Sequence, residues 1–241
     1  MAVQFSAIAF FTFLAGIVQG VTGFGAGTLQ MMVLPLFFPL IEATGISGVV
    51  CWSLTTAMFY RYRKYVKPKK VILPTLFYLL GSYSAISFSM QVNQELMQRV
   101  MGVFLLLLAC YFLFIQSEKV ENVSSFAAVI FSVVSGVCDG LFGIGGPLMV
   151  ILFLAHSDSN EEYLGNSQAL FFGTLLVNCT VRTHKGILTQ AHIPYIVVGL
   201  VTMSLGGFIA KRIADRIDGD KLRRIVYYCV GAAGVINLLG I

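Results

Sequence analysis

The stretch GIVQGVTGFGAG, Gly16–Gly27, is matched 120 positions later by GVCDGLFGIGGP, Gly136–Pro147. The glycines of the two stretches coincide pairwise, at 16/136, 20/140, 23/143 and 25/145. Self-similarity at a fixed offset is the sequence sign of a duplicated structural unit. We therefore predict two related repeats, 1–120 and 121–241, that together form one integrated domain.

The composition predicts a membrane protein. Of the 241 residues, 57% are hydrophobic and only 11% are charged, and the mean hydropathy is +0.85. A soluble chain carries about a quarter charged residues, so the apolar faces here must meet lipid. Because lipid satisfies no backbone polar group, all the membrane segments are expected to be helical. The sequence thus predicts an all-α, multi-pass membrane protein.

Each repeat contains five apolar segments. In the first repeat they cover 2–19, 26–41, 45–61, 71–90 and 96–116, and in the second 123–140, 145–156, 165–182, 191–210 and 221–240. The segment 145–156 would reach only about 18 Å as a helix, whereas the hydrocarbon core is about 30 Å thick. We therefore expect a broken or re-entrant helical hairpin at the Gly-rich motif of each repeat.

The basic residues predict the orientation of the repeats. They gather in two clusters, 61–70 and 211–224, beside membrane segments and not along one stripe, so the net charge of +5 indicates topology and not a nucleic-acid partner. The first cluster follows the third segment of its repeat and the second follows the fourth. If both clusters are cytoplasmic, each repeat crosses the membrane an odd number of times. The repeats are then inverted, and both termini face outward.

The glycine motifs are the candidate binding site. Gly16/Gly20 and Gly136/Gly140 have the spacing of closely packed helices. The denser glycines that follow break a helix, and non-helical backbone at membrane depth is stable only where it lines a cavity. A helix that begins at Gly25 or Gly145 would direct its N-terminal amides at such a cavity and attract an anion. No Lys or Arg is expected within the apolar core of a segment, so helix termini would supply the positive potential.

Asp139 is the one acid well inside an apolar segment, and such a carboxylate is costly and functional by default. Asp139 is predicted either to carry a coupling proton or to orient backbone amides, as Gln19 would at the equivalent position of the first repeat. The alternative is that its carboxyl group is purely structural. Other polar residues at membrane depth are Thr22, Ser53, Thr55, Thr56, Asn166, Ser167, Gln168, Thr174 and Asn178. Arg182 is expected near the outer end of its helix, either attracting an anion or snorkelling, and His184 and His192 are expected to be solvated.

The candidate substrate-binding residues are Gln19, Gly20, Thr22, Gly23, Phe24, Gly25, Asp139, Gly140, Gly143, Ile144, Gly145, Gly146 and Asn178. No catalytic motif is present, and the five cysteines lack metal-ligand spacing. We therefore expect neither an enzyme nor a cofactor or metal site.

The twin motifs GIVQGVTGFGAG and GVCDGLFGIGGP, in a chain of apolar halves, resemble the TauE/SafE-type sulfite exporter family, also called the toluene sulfonate uptake permease family. The resemblance covers nearly the whole chain. It implies a multi-pass permease of the bacterial inner (plasma) membrane for sulfite, sulfonates or related organosulfur anions. By match to the motif, it carries Gly20, Gly23, Gly25, Gly140, Gly143 and Gly145 over as site or hinge positions.

The sequence therefore predicts a secondary transporter for a small anion, coupled to protons. A passive anion channel and a non-transporting membrane scaffold subunit are the alternatives. The identity of the sulfur anion, the direction of transport, the coupling ion and a homodimeric state all stay open.

Overall fold

The computed structural model describes residues 2–111, 113, 123–213 and 219–239, and these residues form helices and connecting turns without a strand. The first half contains α1 (Ala2–Thr22), α2 (Ala26–Gln30), α3 (Leu40–Tyr62), α4 (Pro68–Ser89) and α5 (Gln94–Cys110). The second half contains α6 (Ser125–Phe142), α7 (Gly146–His156), α8 (Asn160–His184), α9 (Ile193–Ile213) and α10 (Gly219–Leu239). The boundary predicted at 120/121, the end of the segment 96–116 and part of the cluster 211–224 lie outside the described residues.

Five of the described helical stretches are long and apolar enough to cross a membrane. They are Val3–Thr22, Leu40–Tyr65, Pro68–Ser89, Ser125–Phe142 and Gln190–Ile213. The all-helical, multi-pass membrane architecture predicted from composition is therefore confirmed.

The short second segments differ between the halves. The helix α7 has 11 residues, one fewer than the predicted segment 145–156, and its side chains from Met149 to Phe153 are all buried. In the first half, the expected segment 26–41 is wrong: the five-residue α2 is followed by a turn and a 3-10 turn, and α3 already begins at Leu40. Pro35 and Pro39 explain the difference, because a proline donates no backbone hydrogen bond and cannot continue a helix.

The two glycine motifs end their helices in the same way. Gly23 and Gly143 both adopt left-handed backbone, with φ of 84° and 68°. The Gly23 amide donates to the Gln19 carbonyl at 2.8 Å, and the Gly143 amide donates to the Asp139 carbonyl at 2.9 Å. This is a helix C-cap that glycine adopts without steric cost. The sequence repeat is therefore matched by a repeated local structure.

The earlier glycines of each motif allow two helix pairs to approach closely. A Cβ on Gly16 would overlap the Met203 carbonyl oxygen of α9, and a Cβ on Gly136 would overlap the Tyr78 carbonyl oxygen of α4. A Cβ on Gly140 would lie 2.5 Å from that of Ala85. Thus α1 packs on α9 as α6 packs on α4, and each pair joins one helix from each half. The interpretation of these glycines as packing residues is supported.

Two further contacts join equivalent helices of the two halves. Gly48, early in α3, lies against Cys179, late in α8, whereas Tyr62 at the end of α3 lies against Gly165 at the start of α8. The helices α3 and α8 therefore run antiparallel where they touch. The helices α5 and α10 also meet, through Gly102 and Leu238 at one end and Ala109 and Gly231 at the other, and are antiparallel too.

The basic stretch 61–70 contacts the turn between α7 and α8 at one end of the protein. The Lys70 ammonium group lies 2.7 Å from the Glu162 carboxylate and donates to the His156 carbonyl at 2.6 Å. The Asn166 side chain accepts from the Lys67 amide at 2.7 Å. The hydrogen bond from Lys70 lowers the pKa of Glu162, so this contact stabilises the fold at neutral pH and is lost under strong acid.

At the opposite end, the prediction of a solvated His192 is wrong. Its ring is buried, with Nε2 donating to the Glu42 carboxylate at 3.0 Å and Nδ1 accepting from the Thr189 amide at 3.2 Å. The contact joins the start of α3 to the start of α9. His184 is exposed, as predicted.

We predict that Gly136→Ala destabilises the protein. The added methyl group has no room against the Tyr78 carbonyl, and overpacking of a close contact costs about 1–3 kcal/mol. The thermal midpoint of the detergent-purified protein should fall by several degrees.

Gly173→Ala in α8 is the matched control. No described atom lies within 4 Å of a Cβ at Gly173, so this variant should keep the parental midpoint or gain slightly from better helix propensity. Equal midpoints for the two variants would contradict the close packing of α4 on α6.

Candidate functional site

The two helix breaks meet at one internal cavity of about 60 Å³. Its wall includes Gly23–Gly27 from the first half and Gly143–Gly146 from the second. The remaining lining residues come chiefly from α3 and α8, the two helices that cross antiparallel beside the breaks. The fold therefore brings the two copies of the sequence motif to a common cavity.

Nine of the thirteen candidate residues line this cavity. They are Gln19, Gly23, Phe24, Gly25, Asp139, Gly143, Ile144, Gly145 and Gly146. The cavity is also lined by residues that the motif does not include: Thr28, Thr44, Ser47, Gly48, Cys51, Thr55, Tyr78, Phe171 and Leu175. Asp139 is the only charged residue among the described residues of this wall. Whether these residues bind substrate stays a prediction.

The other four candidates lie behind the wall and support it. Gly20 and Gly140 belong to the close helix contacts with α9 and α4. The Thr22 hydroxyl lies 2.8 Å from the Val18 carbonyl and 2.9 Å from the Phe24 carbonyl, next to the first break. Asn178 contacts Asp139 and is described next.

Asp139 is held by a chain of polar side chains. The Asn178 amide donates to the Asp139 carboxylate at 2.6 Å, and its own carbonyl oxygen accepts from the Ser82 hydroxyl at 2.9 Å. The Tyr78 hydroxyl also hydrogen-bonds to the Asp139 side chain. These partners come from α4 and α8, so the carboxyl group of α6 is oriented by two neighbouring helices. A buried polar group needs such partners to offset its lost hydration.

Arg182 corrects the expectation that no cation lies in the apolar core. Its side chain is only 1% exposed. The guanidinium donates to the Asp139 carbonyl at 2.9 Å and to the Gly140 carbonyl at 3.1 Å. Because α8 continues to His184, Arg182 lies within the helix and its long side chain turns inward to the last turn of α6. Its positive charge offsets the negative end of the α6 dipole at these carbonyls. It also offsets the negative charge of the nearby Asp139 carboxylate.

The equivalent region of the first half is neutral. Gln19 occupies the place of Asp139 and donates to the Thr55 hydroxyl at 3.0 Å. The backbone of the first break is bound by the second half: the Gln168 amide donates to the Gly23 carbonyl at 2.6 Å, and the Tyr163 hydroxyl donates to the Thr22 carbonyl at 3.3 Å. The two breaks therefore share a backbone geometry while their side chains differ in charge.

The N-terminus of α7 contributes backbone donors to the cavity. Gly145 and Gly146 line the cavity, Pro147 follows at the start of α7, and the first turn contains no acid. The first amides of a helix have no acceptor within the helix and carry its positive dipole end. The expected helix start at Gly145 is confirmed to within one residue.

Sequence reasoning missed Tyr78, and it did not predict that the Arg182 side chain is buried. Tyr78 carries no local signal, because one tyrosine in an apolar segment is unremarkable. Its importance arises from the contact of α4 with α6, where its hydroxyl approaches the Cα of Gly145 so closely that any side chain there would overlap it. Thr55 and Gln168 were recognisable as polar residues at membrane depth, although their partners were not.

A multi-pass helical bundle with a polar cavity at two facing helix breaks is the architecture of a membrane transport protein. The profile of the sulfite exporter TauE/SafE family matches residues 8–236. The chain therefore belongs to this family, as its twin motifs indicated.

Two relatives support this placement along the whole chain. A probable membrane transporter protein of Bacillus subtilis is 24% identical over 242 residues, covering 94% of this chain and 97% of its own length. A probable membrane transporter protein of Methanocaldococcus jannaschii is 21% identical over 255 residues, covering 94% of this chain and 92% of its own length. No solved structure gave a significant match.

We predict that Arg182→Met strongly destabilises the protein. It would leave the Asp139 and Gly140 carbonyls without their donor and the nearby Asp139 side chain without a cation, and the loss of a hydrogen bond to a charged group costs about 1.5–3 kcal/mol. The yield of folded protein and its thermal midpoint in detergent should both fall sharply.

Asp139→Asn in the Arg182→Met background should restore part of the loss, because it removes the uncompensated negative charge. Lys185→Met, which removes a cation three residues further on, should change the midpoint little. A parental midpoint for Arg182→Met would contradict the role of the buried guanidinium.

Proposed function

We propose that the protein is a secondary transporter of a small anion, with sulfite, a sulfonate or a related organosulfur anion as its substrate. The single observation that carries the proposal is the cavity where the two glycine breaks meet. Family membership supports transport as the activity and a sulfur oxyanion as the substrate class.

The chemistry of the cavity suits an oxyanion. Backbone amides at the start of α7 and the side chains of Gln19, Thr55 and Ser47 offer hydrogen-bond donors. Donors of this kind bind an anion without a formal charge in contact with it. Arg182, behind the wall, offsets the negative charge of Asp139.

The cavity is large enough for a small anion. Its volume is about 60 Å³, and roughly 10–15 Å³ is the minimum that holds one water molecule. The space can therefore hold an ion of a few heavy atoms, such as sulfite.

We further propose that the two repeats are inverted and that each glycine break forms a re-entrant hairpin. Three features support this arrangement: the antiparallel contacts of the equivalent helices α3 and α8, the similar contacts of α5 and α10, and the shortness of α7. Inverted repeats around a central site permit alternating access, because one helix group can rock against the other about a fixed binding site. The proposed location is the plasma membrane of a bacterium.

Asp139 is the proposed proton carrier. It lines the cavity, so its negative charge repels an anion bound there, and protonation removes that repulsion. Binding of the proton and of the anion are then thermodynamically linked, each favouring the other. Asn178 and Tyr78 keep the carboxyl group oriented in both states. Proton and anion are expected to move in the same direction.

We predict uphill accumulation of the substrate in proteoliposomes with an acidic exterior. One coupled proton allows about tenfold accumulation per pH unit. Asp139→Asn should keep downhill exchange of labelled anion and lose the accumulation, because the asparagine amide cannot titrate.

Glu161→Gln is the control for this experiment, since it removes an exposed acid of the same half. It should accumulate anion as the parent does. Accumulation by Asp139→Asn at the parental level would refute proton carriage by Asp139. Purely downhill, unsaturable flux in the parent would indicate a passive channel instead.

We predict selection by head-group chemistry. In competition for uptake, sulfite and sulfoacetate should inhibit more strongly than a carboxylate of similar size, because their sulfur head group offers three acceptor oxygens to the donors of the cavity and a carboxylate offers two. Equal inhibition by a carboxylate of similar size would contradict the proposed preference for sulfur oxyanions.

A further inference from the structure

A second cavity, of about 220 Å³, lies between α4, α6 and α7. It is at the end of the protein that carries the basic residues 61–70, since Lys69, Lys70 and His156 form part of its wall. None of the candidate substrate-binding residues lines it. Its function must therefore be sought outside the transport cavity.

The inner wall of this cavity is apolar. Leu73 and Phe77 of α4 face Ala128 of α6 and Phe153 of α7 across it. The helices α4 and α6 touch further along, where a Cβ on Gly81 would lie 2.5 Å from the Val133 carbonyl oxygen. Towards their N-termini they separate, and Pro74, which also lines the cavity, interrupts the hydrogen bonds of α4 at this level. The gap between the helices is therefore suited to binding a hydrocarbon chain.

Within the described part of the chain, the mouth of the cavity carries an unpaired cation. Lys70 is engaged by the Glu162 carboxylate and the His156 carbonyl, with Asp158 3.8 Å away. Lys69 is exposed and has no hydrogen-bond or ion-pair partner among the described residues. Both α4 and α6 begin here, and neither has an acid in its first turn. The positive ends of these two helices add to the charge of Lys69, which no described acid contacts, and the negative end of α7 at His156 is bound by Lys70.

We propose that this cavity is a binding site for an anionic phospholipid of the adjoining leaflet. A phosphate group at the mouth would pair with Lys69, and an acyl chain would fill the space beside Leu73 and Phe77. This combination of a basic mouth and an apolar interior between helices matches the two parts of such a lipid. Because the site is separate from the transport cavity, the proposal does not depend on the identity of the transported anion.

The test is lipid binding by the full-length protein in a neutral detergent, followed by native mass spectrometry and by thermal midpoint. Phosphatidylglycerol should bind more tightly than phosphatidylcholine and raise the midpoint. Lys69→Gln should weaken phosphatidylglycerol binding about fivefold, the effect expected for one lysine near an anionic head group. Binding of phosphatidylcholine should be unchanged.

Lys64→Gln is the matched control, because Lys64 belongs to the same basic cluster and does not line the cavity. It should bind phosphatidylglycerol as the parent does. Equal effects of Lys69→Gln and Lys64→Gln, or equal binding of the two lipids, would overturn the proposal. Stabilisation by inorganic phosphate at the same concentration would also overturn it, since the site would then bind a free anion and not a lipid.

Discussion

Every backbone N–H and C=O at membrane depth needs a partner within the protein, because lipid provides none. At the two glycine breaks the regular helical hydrogen bonds are interrupted, and side chains from neighbouring helices bind some of the freed backbone groups. Arg182 binds the carbonyls of Asp139 and Gly140, and Gln168 binds the carbonyl of Gly23. We propose that backbone amides left without a partner at the breaks face the cavity and that a bound anion accepts their hydrogen bonds.

The two repeats have similar backbone geometry at their glycine breaks, but the side chains beside the breaks differ in chemistry. Both motifs end their helices with a left-handed glycine and pack one helix closely on a helix of the other half. At the equivalent positions beside the breaks, Gln19 is neutral, whereas Asp139 is a carboxylate with Arg182 behind it. Only one half thus carries a group that can take up a proton. We infer that the backbone of both halves forms the anion site and that the second half couples it to protons.

Much of this architecture could be predicted from local sequence, and part of it could not. The repeat, the helix breaks and the short α7 follow from glycine spacing and segment length, which act within a few residues. The break between α2 and α3 departs from the expected segment 26–41, because Pro35 and Pro39 interrupt an otherwise apolar run that by hydropathy alone reads as one helix. The inward turn of Arg182 and the contact of Tyr78 with Asp139 depend on which helices become neighbours. Such tertiary contacts leave no local pattern in a single sequence.

The central claim is that the cavity at the facing breaks binds the transported anion. The most direct measurement is the position of bound selenite, the selenium analogue of sulfite, located by its anomalous scattering in crystals of the protein. The account predicts a peak within hydrogen-bond distance of the Gly146 backbone and of the Gln19 or Thr55 side chain. A peak only at the basic cluster 61–70, with no scatterer between the breaks at a concentration that inhibits uptake, would contradict the account.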